Sequence, residues 1–376
     1  MKFGHLADCH IGSWRNPILR ELNLESFKKA INICIEQNTA FVLISGDLFD
    51  TSLPNIETLK QTTEILSKLK EKDIDTYIIP GSHDFSPSGK TMIDVLEKAN
   101  LVKNVMNFKD NILTFTEDKT NTKITGIYGK KGSLEIELYK NLEIEQTDGF
   151  KIFMFHTTLN ELRPKELEKV EGMPTSLLPK NFNYYAGGHV HIRETKDNIS
   201  YPGPIFPNNF AELEKLKHGS FNIIEIKNNK PIINNIKLNL QEIKSKEIDV
   251  TNLTVEQAEN KIKEQLKEDY TNKILTLRIK GTLEQGKPSD LNINIKAKVF
   301  LKNTASLTSK EFKEFEVEVG ETKDIEDKII ENYATKIKKE KSYIKHLIEI
   351  FSIEKQEGER NLDFEKRIIE NATKKN

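Results

Sequence analysis

Short apolar runs recur through the first two hundred residues, each closed by turn-forming or polar residues. "FVLIS" (41–45), "TYIIP" (76–80), "KIFMFH" (151–156) and "NYYAGGH" (183–189) have the length and content of buried strands. Between them the spacing changes. Leu24, Phe27, Ile31 and Cys34, and later Leu59, Ile65, Leu66 and Leu69, recur at helical intervals. Strands alternating with helices predict a layered α/β domain. The Pro- and Asn-rich stretch "YPGPIFPNNF" (201–210) interrupts it. From Gly219 the texture differs: "FNIIEI", a turn "KNNKP" and "IINNIKL" read as a hairpin. Thr254-x-x-Gln257 reads as a capping box for a helix to about Tyr270, and "KILTLRIKGTL" (273–283) reads as a strand. After Thr322 the pattern is amphipathic and helical, with Ile325, Ile329, Tyr333 and Ile337 and then Ile344, Leu347, Ile348 and Phe351 in one stripe. Gly358 breaks it, and Leu362, Phe364, Ile368 and Ile369 predict a last short helix. The expected division is a domain over 1–215, a small α+β domain over 216–320 and a helical tail over 321–376.

A chain of 376 residues can build such a core unaided, and 36% apolar with 31% charged residues is an ordinary globular composition. No apolar run approaches the ~20 residues of a membrane helix. The start "MKFGHLADCH" lacks a basic region followed by a hydrophobic one, so no signal peptide and a cytoplasmic location are expected. Cys9 and Cys34 give no disulfide framework and match no zinc spacing. A net charge of −1 carries no global signal for nucleic acid, so any phosphate affinity must come from local patches or bound metal ions.

Chemistry concentrates where the apolar runs end. Asp8-Cys9-His10 follows "FGHLA", Gly46-Asp47 follows "FVLIS", "GSHD" (81–84) follows "TYIIP", His156 closes "KIFMFH", and "GGHVH" contains His189 and His191. Ligand crevices in α/β sheets lie at the carboxyl ends of strands, so these five segments are expected to converge. Asp-x-His and His-x-His put two side chains on the same side of an extended segment, a chelating arrangement. Mixed imidazole and carboxylate ligands suit manganese, iron, zinc or nickel better than magnesium or calcium. Ser82-His83-Asp84 is not read as a nucleophilic triad, because three consecutive residues send their side chains in alternating directions.

The ordered series D-x-H, GDxx, GxHD, an isolated His and GHxH resembles the calcineurin-like metallophosphoesterases. The strings "HLADCHIG", "SGDLFD", "GSHDFSPSG", "AGGHVH" and "YPGP" are similar to the SbcD family within them, the nuclease subunit of the double-strand-break repair complex, known in archaea and eukaryotes as the meiotic-recombination nuclease. The motifs span residues 5–204, and "GKPSD" (286–290) extends the likeness to about residue 320. The resemblance implies a metallophosphoesterase β-sandwich flanked by helices, with the α+β segment as a cap. It implies two divalent ions, manganese by preference. Asp8, His10, Asp47 and His191 would hold one, and Asp47, His156, His189 and Ser82 the other. His83 would orient the scissile phosphate and protonate the leaving oxygen, with Asp84 orienting His83. The implied activity is exonuclease on duplex DNA and endonuclease on single strands. The implied partners are DNA, an SMC-like ATPase of the SbcC type docked on the C-terminal helices, and a second copy of the chain.

Two departures from the family pattern stand out. Ser82 replaces an asparagine, and a hydroxyl is a shorter, poorer neutral ligand. Asp50 stands where relatives often carry His, at a position bearing on the handling of DNA ends. Trp14 and Arg15 in "GSWRNP" are candidates to stack on a base and grip a phosphate, with simple surface packing as the alternative. Two other functions fit the same motifs: a phosphatase or small-molecule phosphodiesterase of the superfamily, and a weakly catalytic DNA-binding scaffold.

Overall fold

The computed structural model describes residues 1–86, 89–167, 171–310, 330–331, 341–353 and 361–373. The chain divides into two compact units. One comprises residues 1–248, 266–279 and 294–303, and the other comprises 249–265, 280–293 and 304–376.

The first unit is built on two six-stranded sheets. One contains β1 (Lys2–Leu6), β2 (Phe41–Ser45), β3 (Asp75–Ile79) and β4 (Lys103–Asn104), mutually parallel, plus the hairpin β14 (Gly219–Lys227) and β15 (Lys230–Leu238), in the order β15-β14-β1-β2-β3-β4. The second contains β7 (Thr116–Glu117), β8 (Lys123–Ile127), β10 (Lys151–His156), β11 (Tyr184–Gly188), β12 (Arg193–Lys196) and β13 (Ile199–Pro202), in the order β12-β13-β11-β10-β8-β7. A small sheet of β5 (Asn107–Lys109), β6 (Ile112–Thr114) and β9 (Glu143–Ile144) lies beside them in sequence.

The period of two in each strand builds a layered sandwich. Phe41 and Leu43 of β2 join Tyr77, Ile152, Met154 and Tyr184 in the layer between the sheets, while Val42 and Ile44 face the helices. Those helices are α1 (Pro17–Glu36), α2 (Ile56–Glu71) and α3 (Met92–Lys98); α4 (Ile136–Lys140) packs with the outer face of the second sheet. Asn16 caps α1 with Pro17 in its first turn, and Asn55 caps α2, so both helices begin where side-chain oxygens satisfy their free amides. The result is a layered α/β architecture, two sheets flanked by helices.

The hairpin at 219–238 differs from expectation. It does not open a separate cap. β14 pairs antiparallel with β1, His5 opposite Asn222, and Phe221 and Ile223 enter the helix-side core while Ile224 enters the layer between the sheets. Without it the edge of β1 would be open, so the first unit runs past residue 215 to Ile248. Downstream, α5 (Phe210–Leu216), α6 (Val255–Gln265) and the sheet β16 (Ile243–Asp249), β17 (Tyr270–Leu283) and β18 (Ala297–Ser309) follow. Thr254 and Gln257 do form a reciprocal capping box, Thr254 N–H donating to Gln257 Oε1 and Gln257 N–H to Thr254 Oγ1. In the tail α7 (Lys341–Phe351) and α8 (Asn361–Thr373) are helical. Ile325, Ile329, Tyr333, Ile337 and Gly358 lie outside the described residues. No described helix is long and apolar enough to cross a membrane.

Candidate metal centre

All five chemical segments leave the carboxyl ends of β1, β2, β3, β10 and β11. The loops are laced together by the backbone: Asp8 N–H donates to Gly46 O, and His10 N–H to Asp47 O. Cys9 turns its buried thiol into the core while its neighbours face the crevice, and Asn23 of α1 holds the Cys9 carbonyl at 2.9 Å. Asp8, His10, Asp47 and His189 all adopt positive φ, at 50°, 41°, 52° and 90°. Side chains rarely accept such backbone angles, and their clustering is a mark of a site held in shape by its surroundings. Two glycines make the crowding possible. A Cβ on Gly46, itself at φ 85°, would lie 2.1 Å from His156 Nδ1, and one on Gly81 would lie 2.3 Å from Asp47 N and Oδ1.

Two groups of donors result. Ligand atoms of Asp8, His10 and His191 lie within 4.8 Å of one another, and so do those of Asp47, His156 and His189. Asp47 links the two, with Oδ2 at 3.5 Å from His10 Nε2 and 3.1 Å from His156 Nε2. The residues fit cations on three grounds. Asp8 Oδ2 is buried and has no hydrogen-bond partner among the described residues. Three of the four candidate rings have the other nitrogen engaged: His10 Nδ1 with Asp50 Oδ1 at 3.3 Å, His156 Nδ1 with Ser45 O at 2.8 Å, and His191 Nδ1 with Glu212 Oε1 at 2.8 Å. With those Nδ1 protons committed, His10 Nε2 and His191 Nε2 face each other at 3.1 Å, and a proton or a cation must lie between them. That separation suits two nitrogen ligands of one ion with bonds of about 2.0–2.1 Å.

Ser82 is buried, its hydroxyl donating to Asp47 Oδ2 at 3.5 Å, the edge of hydrogen-bond range. His83 N–H donates to Asp47 Oδ1 at 2.7 Å, and its Nδ1 lies 2.8 Å from the Asp50 carbonyl. Its ring meets His10 edge-on at 4.8 Å. Asp84 does not orient His83. Its carboxylate accepts from the amides of Leu48, Phe49 and Gly81 and so braces the Asp47 loop. Asp50 meets the His83 ring through its backbone carbonyl and the His10 ring through its carboxylate. Trp14 is half-buried, packed against the cluster of Leu19, Phe206 and Leu213 with its Nε1–H donating to Pro207 O at 2.9 Å; Arg15 is exposed. Glu212 escaped the sequence reading because it lies 21 residues from His191 on a separate helix.

The charges are coupled. Burial alone would raise the Asp47 carboxyl, but His156, His10 and His83 hold it well below the usual carboxylate range. Burial works against charge on His156 and His191 as well. Asp47 and Asp8 nevertheless hold His156 up at about 10, and Glu212 with Asp8 holds His191 at about 9. Burial and the neighbouring His156 charge push His189 down to about 3. Burial beside Asp47 raises Asp84 to about 6. At neutral pH His156 and His191 therefore carry protons in the metal-free protein, and coordination must displace them. The sign follows: acid competes with the cation, so manganese affinity should rise as pH climbs toward 9. Calorimetry at pH 7 in buffers of different ionisation enthalpy should show roughly two protons released per chain; binding without proton release would contradict the assignment.

A family model of the calcineurin-like phosphoesterases matches residues 1–193. The chain belongs to that family. Its members use a dinuclear metal site, and the two donor groups are sets of residues that could hold metal ions. Among curated relatives, the DNA double-strand break repair protein Mre11 of Methanococcus maripaludis is 34% identical over 210 residues, 52% of this chain and 53% of that protein. Its counterpart from Archaeoglobus fulgidus is 28% identical over 235 residues, 57% and 52%. That of Sulfolobus acidocaldarius is 28% identical over 306 residues, 75% and 76%. The alignments thus span about half the length of the first two relatives. Membership of the family places the chain among the phosphoesterases.

In this calcineurin-like centre Glu212 should set the strength of one metal position. It accepts from His191 Nδ1 and from Asn208 N–H, and Asn209 Nδ2 donates to it as well. Such a carboxylate fixes the ring's tautomer and orientation, and its loss typically costs 10–100-fold in metal affinity. Glu212→Ala should weaken one of two manganese sites by about that factor, with Glu212→Gln recovering part of it. Equal affinities at both sites in all three proteins would rule the role out.

Proposed function

We propose that the protein is a two-metal DNA nuclease, exonuclease on duplex ends and endonuclease on single strands, acting in double-strand-break repair with manganese as its preferred ion. The observation that carries this is Asp47 standing between two donor groups with His83 beside them. Asp8, His10, Asp47 and His191 would hold one ion, and Asp47, His156 and His189 the other, with Ser82 at its margin. When bound, the ions supply Lewis acidity toward the phosphate and an activated water. The chain's own residues do the rest. Asp47 fixes the spacing of the two positions and, through His83 N–H, the placement of the acid. The Asp50 carbonyl accepts from His83 Nδ1–H, so the imidazolium form of the ring would present its Nε2–H to the leaving oxygen and return to the neutral Nδ1–H form on giving it up. Burial of Asp8, Asp47 and His156 excludes bulk water from the ligand side.

The test is a manganese-dependent assay of the purified chain on linear duplex and circular single-stranded DNA. Cleavage of both supports the reading; cleavage of phosphomonoesters alone, with DNA untouched, would move it to the phosphatase alternative. We assign the tail to an SMC-like ATPase of the SbcC type, on the strength of its amphipathic helices, with Tyr343, Ile348 and Ile369 exposed. Removing residues 323–376 should leave nuclease activity in place and end co-purification with the ATPase; retained co-purification would refute this assignment. A homodimer and a cytoplasmic location complete the reading.

A further inference from the structure

Beyond His191 the chain enters β12, and a cavity of about 630 Å³ opens between its first residues, the segment at 161–164 and the end of α5. Arg163, Arg193, Lys196 and Lys215 line it, against the carboxylates of Glu161 and Glu194. In a chain of net charge −1 that is a local positive concentration. Glu161 is already committed, both its oxygens accepting from Thr175 N–H at 3.2 and 2.9 Å.

Arg193 is held unusually well for a half-buried arginine. Nη1 donates to His218 Nε2 at 2.9 Å, and Nη2 to the Leu216 carbonyl at 3.4 Å. His218 Nδ1 lies 2.8 Å from Gly219 O, so its proton sits there and Nε2 is free to accept. The aliphatic stem rests on Gly203, where an added Cβ would come within 2.7 Å of Arg193 Cγ. The guanidinium is thus preorganised, with only two of its five N–H donors engaged among the described residues. Helix α5 clamps both ends of this turn, Glu212 on His191 and the Leu216 carbonyl on Arg193. Two extended residues span at most about 7 Å, so Arg193 starts close to the metal ligand.

We infer that this cavity is a second phosphate subsite, which takes a backbone phosphate of the nucleic acid beside the scissile one, with Arg193 as its anchor and Lys196 as its second cation. The planar fork of an arginine suits two phosphate oxygens at once. The inference rests on the nucleic-acid reading above and adds to it where the strand leaves the metal centre.

The test is binding of a fluorescent single-stranded oligonucleotide to the full chain in EDTA, so that nothing is cut, over a range of salt. Each phosphate contact on a single strand adds about −0.7 to the slope of log affinity against log salt. Arg193→Ala and Lys196→Ala should each weaken binding and make the slope shallower by about that amount. Lys196 is exposed, so its variant keeps the question answerable if Arg193→Ala folds poorly. Wild-type binding with the same slope and affinity in both variants would overturn the subsite alone. Absence of salt-dependent binding in the wild type would overturn the nucleic-acid reading and the subsite with it.

Discussion

Asp47→Asn should reduce manganese binding from two ions per chain to at most one weak site, and should lower phosphodiester hydrolysis by about 10³-fold or more, some 4 kcal/mol of transition-state stabilisation. Asp47 Oδ2 reaches an imidazole of each donor group, His10 in one and His156 in the other, and those imidazoles hold its carboxyl in the charged form. Asparagine preserves the shape. Its Oδ1 can still accept from His83 N–H, so the loop at 81–84 should keep its place. What it removes is the negative charge that a pair of divalent ions sharing one ligand requires. It also releases His156 from the partner that keeps its imidazole charged. In the variant, His156 should titrate below its wild-type value of about 10, a shift readable by NMR of the ring protons. The decisive measurement is metal stoichiometry, by calorimetric titration with manganese. Two ions bound at undiminished affinity would show that Asp47 is not the shared ligand, whatever happened to the rate.

The parts of this site that could be read from the sequence share one property: their geometry is local. A strand ending in Gly-Asp or in His-x-His carries its own direction, so Asp8, His10, Asp47, His156, His189 and His191 could be gathered on one edge from strand periodicity alone. Residues that act across the fold left no such trace. Glu212 reaches His191 only because α5 folds back over the turn after β11, and no spacing in the chain announces it. Asp84 sits next to His83 in sequence, yet successive side chains point to opposite sides, and it faces the Asp47 loop amides instead. The hairpin at 219–238 was legible as a hairpin, but its partner was not. Pairing with β1 is a contact across more than two hundred residues, decided by an open sheet edge rather than by anything in the hairpin itself. Trp14 shows the same limit from the other side: the sequence places an aromatic next to an arginine, but not the cluster its ring packs against.

His83→Ala should leave both manganese sites filled and still cost 10²–10⁴-fold in DNA hydrolysis, the usual range for a positioned acid. The geometry separates the two functions. His83 contributes its backbone N–H to Asp47, which alanine retains, and among the described residues its ring meets the Asp50 carbonyl and the edge of His10. The loss should depend on the leaving group. A deoxyribose oxygen departs as a strongly basic alkoxide and needs a proton, whereas the nitrophenolate of bis-p-nitrophenyl phosphate is weakly basic and departs without one. The variant should therefore retain most of its activity on the nitrophenyl ester while losing it on DNA. His83→Asn, which can keep a hydrogen bond to the phosphate but cannot deliver the proton at neutral pH, should behave like alanine on DNA. Equal losses on both substrates would remove His83 from the acid role and leave it as a group that orients the phosphate. A fall in manganese stoichiometry would instead make it a ligand, and the cluster of His10, Asp50 and His83, whose ligand atoms also lie within 4.8 Å of one another, would be where to look.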